Sequence, residues 1–211
     1  MLPFQIILLF ISMTSLGITD TGDDKVIFTP VSESQIWIEG TTTINDFQCE
    51  AGSFDGKGVL EKGNSISGQQ AKVKREELTI WAKIPVESFD CGKNRMNRDL
   101  YNALKGDEFP HIIFEFKEAI PTNDSNGDMF KVTGDLTIAG VTKEVMFDVK
   151  GDQKNEKYWR AVGNTDISMN DFNIDLPSPM LGMIKVRDQM TVNFVLIVEP
   201  QNAFITSEIH E

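Results

Sequence analysis

The stretch FKVTGDLTIAGVTKEVMFDV, residues 130–149, decides the fold. Phe130, Val132, Gly134, Leu136 and Ile138 alternate with polar residues, and Ala139-Gly140 then makes a tight connection. Beyond it Val141, Lys143, Val145, Phe147 and Val149 continue with the same period of two. Successive side chains of a strand point to opposite faces, whereas a helix repeats its apolar face every three to four residues. The pattern therefore predicts two antiparallel strands that share one apolar face.

The same signal recurs on either side. Ser34 to Gly40 sets Ile36 and Ile38 against Gln35 and Glu39, with Trp37 interrupting a clean two-face pattern. Thr41 to Glu50 is rich in β-branched residues, Gly52, Gly56 and Gly58 punctuate the chain, and Gly63 to Gly68 has the composition of a turn. Glu77 to Val86 predicts another strand, as does His111 to Lys117, which carries Phe114 and Phe116. Asn123 to Asp128 is a hairpin loop by composition, and Tyr158 to Met169 a long strand. In the last strand Met190, Val192, Phe194, Leu196 and Val198 share a face, while Val195 and Ile197 make part of the other face apolar too. One helix is expected over Arg95 to Gly106, where Met96, Leu100, Ala103 and Leu104 have helical spacing, Gly106 sits at the C-cap and Pro110 prevents continuation. Strands of this length joined by short turns favour a closed antiparallel barrel, which leaves no open edge.

Residues Phe4 to Leu16 are apolar and uncharged, with Ser15-Leu16-Gly17 as a small-residue cleavage site. This is the pattern of a secretory signal over 1–17, and too short for a membrane span, which needs about 20 apolar residues. A retained anchor is the rival reading, since Met1-Leu2-Pro3 brings only the α-amino charge. The barrel domain is expected over residues 25–200, with 201–211 as a tail. The formal charge of −12 survives removal of the signal and argues against nucleic acid or anionic headgroups as partners. No stable membrane insertion is expected once the signal is removed. The oligomeric state stays open, a dimer included.

The motifs of enzymes are missing: there is no GxSxG elbow, Walker loop, GxGxxG fingerprint or HExxH helix. Of the two histidines, His210 falls in the expected tail and His111 follows Pro110 at a strand start. A non-enzymatic chain without cofactor or metal is expected. Asn123-Asp124-Ser125 is a formal glycosylation acceptor that reads more simply as a turn, and Lys72-Val73-Lys74-Arg75 as a solvated strand end. Cys49 and Cys91 are either a disulfide, worth about 4 kcal/mol at most from loop entropy, or two buried thiols.

Residues Thr133 to Val149 resemble the YceI-like family, whose members carry a GDLTI-x-GVTK-x-V strand-turn-strand stretch. Further pieces agree in order: Ser88-Phe89-Asp90 with Cys91, Lys93, Arg95 and Met96; Glu108 to Phe116 after the helix; and Asn170 to Ile174, where Asn173 replaces the family's usual Gly. With the final strand, the resemblance spans about residues 25 to 199. It implies an all-β fold, a lipocalin-like closed antiparallel barrel of about eight strands with one or two short helices. Thr41 to Cys49 looks like an exported, periplasmic or secreted, branch of the family with a second Cys after the SFD turn, which implies a Cys49–Cys91 disulfide.

Some members hold a polyisoprenoid or an isoprenoid quinone, so the resemblance implies an apolar lipid as partner. Each buried CH₂ contributes roughly 0.8 kcal/mol, which would hold such a chain with few polar contacts. The candidate lumen set is Ile36, Ile38, Phe114, Phe116, Phe130, Val132, Val145, Phe147, Val192, Phe194 and Leu196. The same alternation describes a barrel with a filled core, an envelope binding module that would engage a protein through its loops. Met169, Met180, Met183 and Met190 suit either an adaptable mouth or ordinary filling.

Overall fold

Eight strands close into a ring in which every neighbour is antiparallel. A computed structural model describes residues 25–61, 73–74, 78–122, 129–177 and 184–202. Its strands are β1 (Lys25–Pro30), β2 (Gln35–Thr42), β3 (Asp46–Ala51), β4 (Asp55–Glu61), β5 (Val73–Lys74), β6 (Leu78–Pro85), β7 (Phe89–Asp90), β8 (His111–Pro121), β9 (Met129–Ile138), β10 (Val141–Gln153), β11 (Trp159–Ser168) and β12 (Val186–Asn202). The ring runs β1-β4-β6-β8-β9-β10-β11-β12 and closes where β12 pairs back to β1. Beside β1, the first half of β12 pairs with β2, which leads through β3 to β7. β5 pairs with β8. The barrel therefore has two halves: one walled by β2, β3 and β7 and carrying the helix, the other completed by β1, β4 and β6.

The hairpin of residues 130–149 forms as its alternation requires. Val145 pairs with Gly134, Phe147 with Val132 and Val149 with Phe130, so these residues share the inner face. The connection uses two left-handed residues, Ala139 at φ 49° and Gly140 at φ 77°. Gly140 is obligatory for a second reason: a Cβ there would lie 2.5 Å from the Phe109 ring. Trp37 does not interrupt the pattern of β2. It pairs with Asn193 on the outer face and its indole N–H donates to Glu39 Oε1 at 2.9 Å. Ile197, on the outer face of β12, is buried; its backbone N–H donates to the Ser34 hydroxyl oxygen and its carbonyl accepts the Val31 N–H.

Two details differ from the pattern read in the sequence. Gly56 and Gly58, which look like punctuation, lie inside β4 and pair with Ala82 and Ile80. Their missing side chains let the inner face carry Pro30 and Phe28, 3.4 Å from where a Cβ would stand. The helix, α1, spans Asn94–Ala103, and its left-handed residue is Lys105 at φ 52° rather than Gly106. Gly106 occupies the next position, where its N–H bonds the Tyr101 carbonyl while Lys105 N–H bonds that of Asn102. That is a Schellman ending shifted by one residue. Strand β12 also takes in Gln201 and Asn202, the first residues of the expected tail. Residues 1–24, the 63–68 turn, the 123–128 loop with its glycosylation tripeptide, Met180, Met183 and residues 203–211 lie outside the described residues.

Candidate functional site

Antiparallel partners share a face, so the registers place all eleven lumen candidates on the inner wall. Ile36 pairs with Phe194 and Ile38 with Val192; Phe114 pairs with Leu136 and Phe116 with Gly134. Leu196 lies opposite Ala161, two residues on from Phe194 opposite Gly163. Among them Ile36, Phe116 and Phe147 are buried, and the other eight keep part of their surface accessible.

The two halves of the interior differ in how they are filled. The helix half is a packed core. Val86, Phe89, Leu100, Leu104, Ile138, Ile167, Phe172 and Ile174 are all buried there, with Phe89 and Phe172 only 1% exposed. Helix α1 presents Leu100 and Leu104 to that core, with Met96 and Ala103 packed beside them. Its first turn is fixed by Asn97, whose Oδ1 accepts the Cys91 N–H and whose Nδ2 donates to Asp90. Asp90 also accepts the Gly92 N–H; these bonds, the Asn97 one foremost, hold its carboxyl below the usual range. Later in the helix the Tyr101 hydroxyl reaches the Phe89 carbonyl at 2.6 Å, and burial raises its pKa. The Cys49–Cys91 disulfide then ties the helix entrance to β3.

A cavity of about 270 Å³ lies outside this core, between α1, β3 and the start of β12. Its apolar wall includes Phe47, both cysteines, Met96, Met169 and Met190; Thr42, Asn45, Lys93, Arg95 and Asp99 bring polar groups to it. Two of the four mouth methionines are thus here, each 4% exposed. None of the eleven alternation-derived candidates lines this cavity. Phe47, Met96 and Leu100 were missed because sequence periodicity sorts faces but not where an interior is left empty.

In the other half the inner wall stays accessible. Phe28, Leu60, Ile80, Phe130, Val132, Leu196 and Val198 all point inward by register, and none is buried. Trp159 pairs with Val198 and stands at the rim, 46% exposed. Among the described residues Leu78, Phe116 and Ala119 are buried together on one side, and Val149 of β10 is buried as well. An interior wall of large apolar side chains that solvent can still reach is the surface a ligand would cover.

Three rings separate the halves. Phe147 sits edge-on to Phe114 with centroids 5.5 Å apart, and to Phe194 at 5.7 Å. They come from β8, β10 and β12, and β8 and β12 are opposite each other in the ring of eight. Glycines on the strands between make room: a Cβ on Gly134 would lie 2.4 Å from the Phe114 ring, and one on Gly163 2.5 Å from Phe194.

The ion pairs of β8, β9 and β10 lie on the outside of the wall. Lys117 bridges Asp135 at 2.6 Å and Glu144 at 2.9 Å, and Lys131 meets Asp148 at 2.8 Å. Exposed pairs of this kind are screened by water and add little to stability. Among the described residues no three His, Cys, Asp or Glu side chains gather as metal ligands would, and no described helix is long and apolar enough to cross a membrane.

Comparison with known proteins adds to this geometry. A family model, the YceI-like domain, matches residues 28–198. Burkholderia cenocepacia BcnA shares the fold at TM-score 0.63 and 18% identity, over 78% of this chain and 95% of that one. A polyisoprenoid binding domain from Saccharophagus degradans, implicated in plant cell wall breakdown, shares it at TM-score 0.61 and 11% identity, over 83% and 98%. No curated protein matches the chain in sequence.

Proposed function

Because the chain belongs to the YceI-like domain family, we propose that it is an exported, non-enzymatic carrier of a long apolar molecule, a polyisoprenoid or isoprenoid quinone. The ligand lies in the barrel lumen on the inner wall opposite the helix. The observation that carries this reading is the accessible apolar face of Phe28, Leu60, Phe130, Val132, Leu196 and Val198. Covering it would contribute about 25 cal/mol per Å², so a flexible chain of many carbons gains enough without any charged anchor. The name of the Saccharophagus degradans domain agrees with an isoprenoid ligand. Export is supported by the apolar segment of residues 4–16 and by the Cys49–Cys91 bond, since disulfides persist in oxidising compartments.

The packed helix half favours a second reading, a binding module with a filled core that meets a protein through its loops. Native mass spectrometry on protein purified from its own envelope, before and after organic extraction, separates the two. A bound mass that extraction removes and that fragments as an isoprenoid supports carriage. A clean apo mass, with no uptake of an offered isoprenoid quinone, leaves the filled-core module.

A further inference from the structure

We infer that the crossbar of Phe114, Phe147 and Phe194 is a stop that sets how long an apolar chain the lumen accepts, an inference that rests on the carrier reading above. An eight-stranded barrel is just wide enough for side chains to fill it or for one slender ligand. Three edge-on rings reaching from β8 to the opposite β12 therefore occupy the bore at that level. Behind them, toward the helix, Ile84, Ile112, Leu136 and Ile167 are buried.

The stop is built into the wall. Gly134 and Gly163 recess the Phe114 and Phe194 rings against the strands, and any side chain at either glycine would drive its ring out of position. Phe147 closes the gap between them and is 6% exposed, the most enclosed of the three. The 270 Å³ cavity on the helix side lies beyond this floor, and falls below the ~300 Å³ at which drug-sized pockets begin. A chain that entered from the far half would thread toward the crossbar and end there, with any surplus length left outside in water. Surplus carbons then add nothing to affinity.

The test uses delipidated protein and a series of prenyl alcohols, geraniol, farnesol, geranylgeraniol and solanesol, delivered from cyclodextrin and followed by native mass spectrometry. For the unaltered protein, affinity should climb with chain length and then level off. Phe147→Leu opens the floor, and should move the plateau to a longer alcohol and tighten that alcohol by about tenfold, the worth of roughly two more buried carbons. Ala161→Phe puts a ring on the inner wall of β11, beside its partner Leu196, and should move the plateau to a shorter one. Plateaus that coincide in all three proteins overturn the stop, as does an affinity that keeps rising through solanesol in the unaltered protein; either result leaves carriage standing. If no alcohol of any length binds, carriage itself fails and the stop falls with it.

Discussion

The helix half and the far half of this barrel are built from the same alternating strands, yet one is plugged by a helix and its core and the other is not. In the helix half Phe89, Leu100, Leu104 and Phe172 fill the bore, Asn97 and Tyr101 fix the helix, a disulfide fastens its entrance, and the cavity of about 270 Å³ lies between α1, β3 and the start of β12. In the far half Phe28, Phe130 and Leu196 occupy equivalent inward positions but remain accessible. The difference teaches that alternation makes a barrel, whereas what is added across the bore decides whether the barrel is a core or a container. Stability and binding are thereby assigned to separate ends of one molecule.

Substitutions that act on one half only should expose that division. Phe172→Ala, in the helix half, is expected to cost about 4 kcal/mol in urea unfolding, because a 1% exposed ring leaves a cavity that its neighbours cannot close. Lipid capture by the protein that stays folded should change little. Cys49→Ala with Cys91→Ala should cost about 3 kcal/mol, by freeing the loop of sequence separation 42 in the unfolded chain. Hydrogen exchange should then rise in α1 and β3 before it rises in β9 and β10. Leu196→Ala, in the far half, should cost only about 1 kcal/mol, since its side chain is partly accessible already, while clearly weakening the uptake of an isoprenoid. Equal stability losses for Phe172→Ala and Leu196→Ala would break the division.

The smallest effect concerns acid. Asp188 is held below the usual carboxylate range by the Ser168 hydroxyl and then the Asn170 N–H, and Asp90 by Asn97 and Gly92, both in the helix half. In the far half Asp152 is lowered mainly by its Arg160 partner. A depressed folded-state pKa means that the unfolded chain takes up protons first. Stability from these groups is therefore complete above about pH 4 and is lost as pH falls through the lowered values. Asp188→Asn should lower the thermal midpoint slightly at neutral pH and flatten its fall below pH 4, so that the two proteins converge in acid; an unchanged acid slope would remove Asp188 from the account.

Much of the fold was legible because a period of two is a direct imprint of strand geometry. Residues 130–149 announce both strands and their turn, and Val192, Phe194 and Leu196 announce the inner face of β12. Asn173, in the place of the family's usual Gly, does adopt the left-handed conformation, φ 54°, that such a position asks for and that Asn tolerates. Strand β4 was hidden, because Gly56 and Gly58 look like turn residues until Phe28 and Pro30 are seen leaning over them. The crossbar was hidden for a related reason. Phe114, Phe147 and Phe194 were visible as inward candidates, but their meeting across the bore depends on which strands stand opposite one another. Membership of the cavity beside α1 depends likewise on packing between distant segments.

Strand β12, the last in the described chain, is also the one that the rest of the barrel waits for. It pairs with β11 on one side and with both β1 and β2 on the other, so the first and last described strands close the ring together. Loop closure over that distance is entropically slow, and no earlier stretch can substitute for it. Until residues 186–202 have emerged, β1 lacks one of its two neighbours and the bore stays a curved open sheet. A nascent chain with this order of strands therefore cannot close its barrel until nearly all of it has been made.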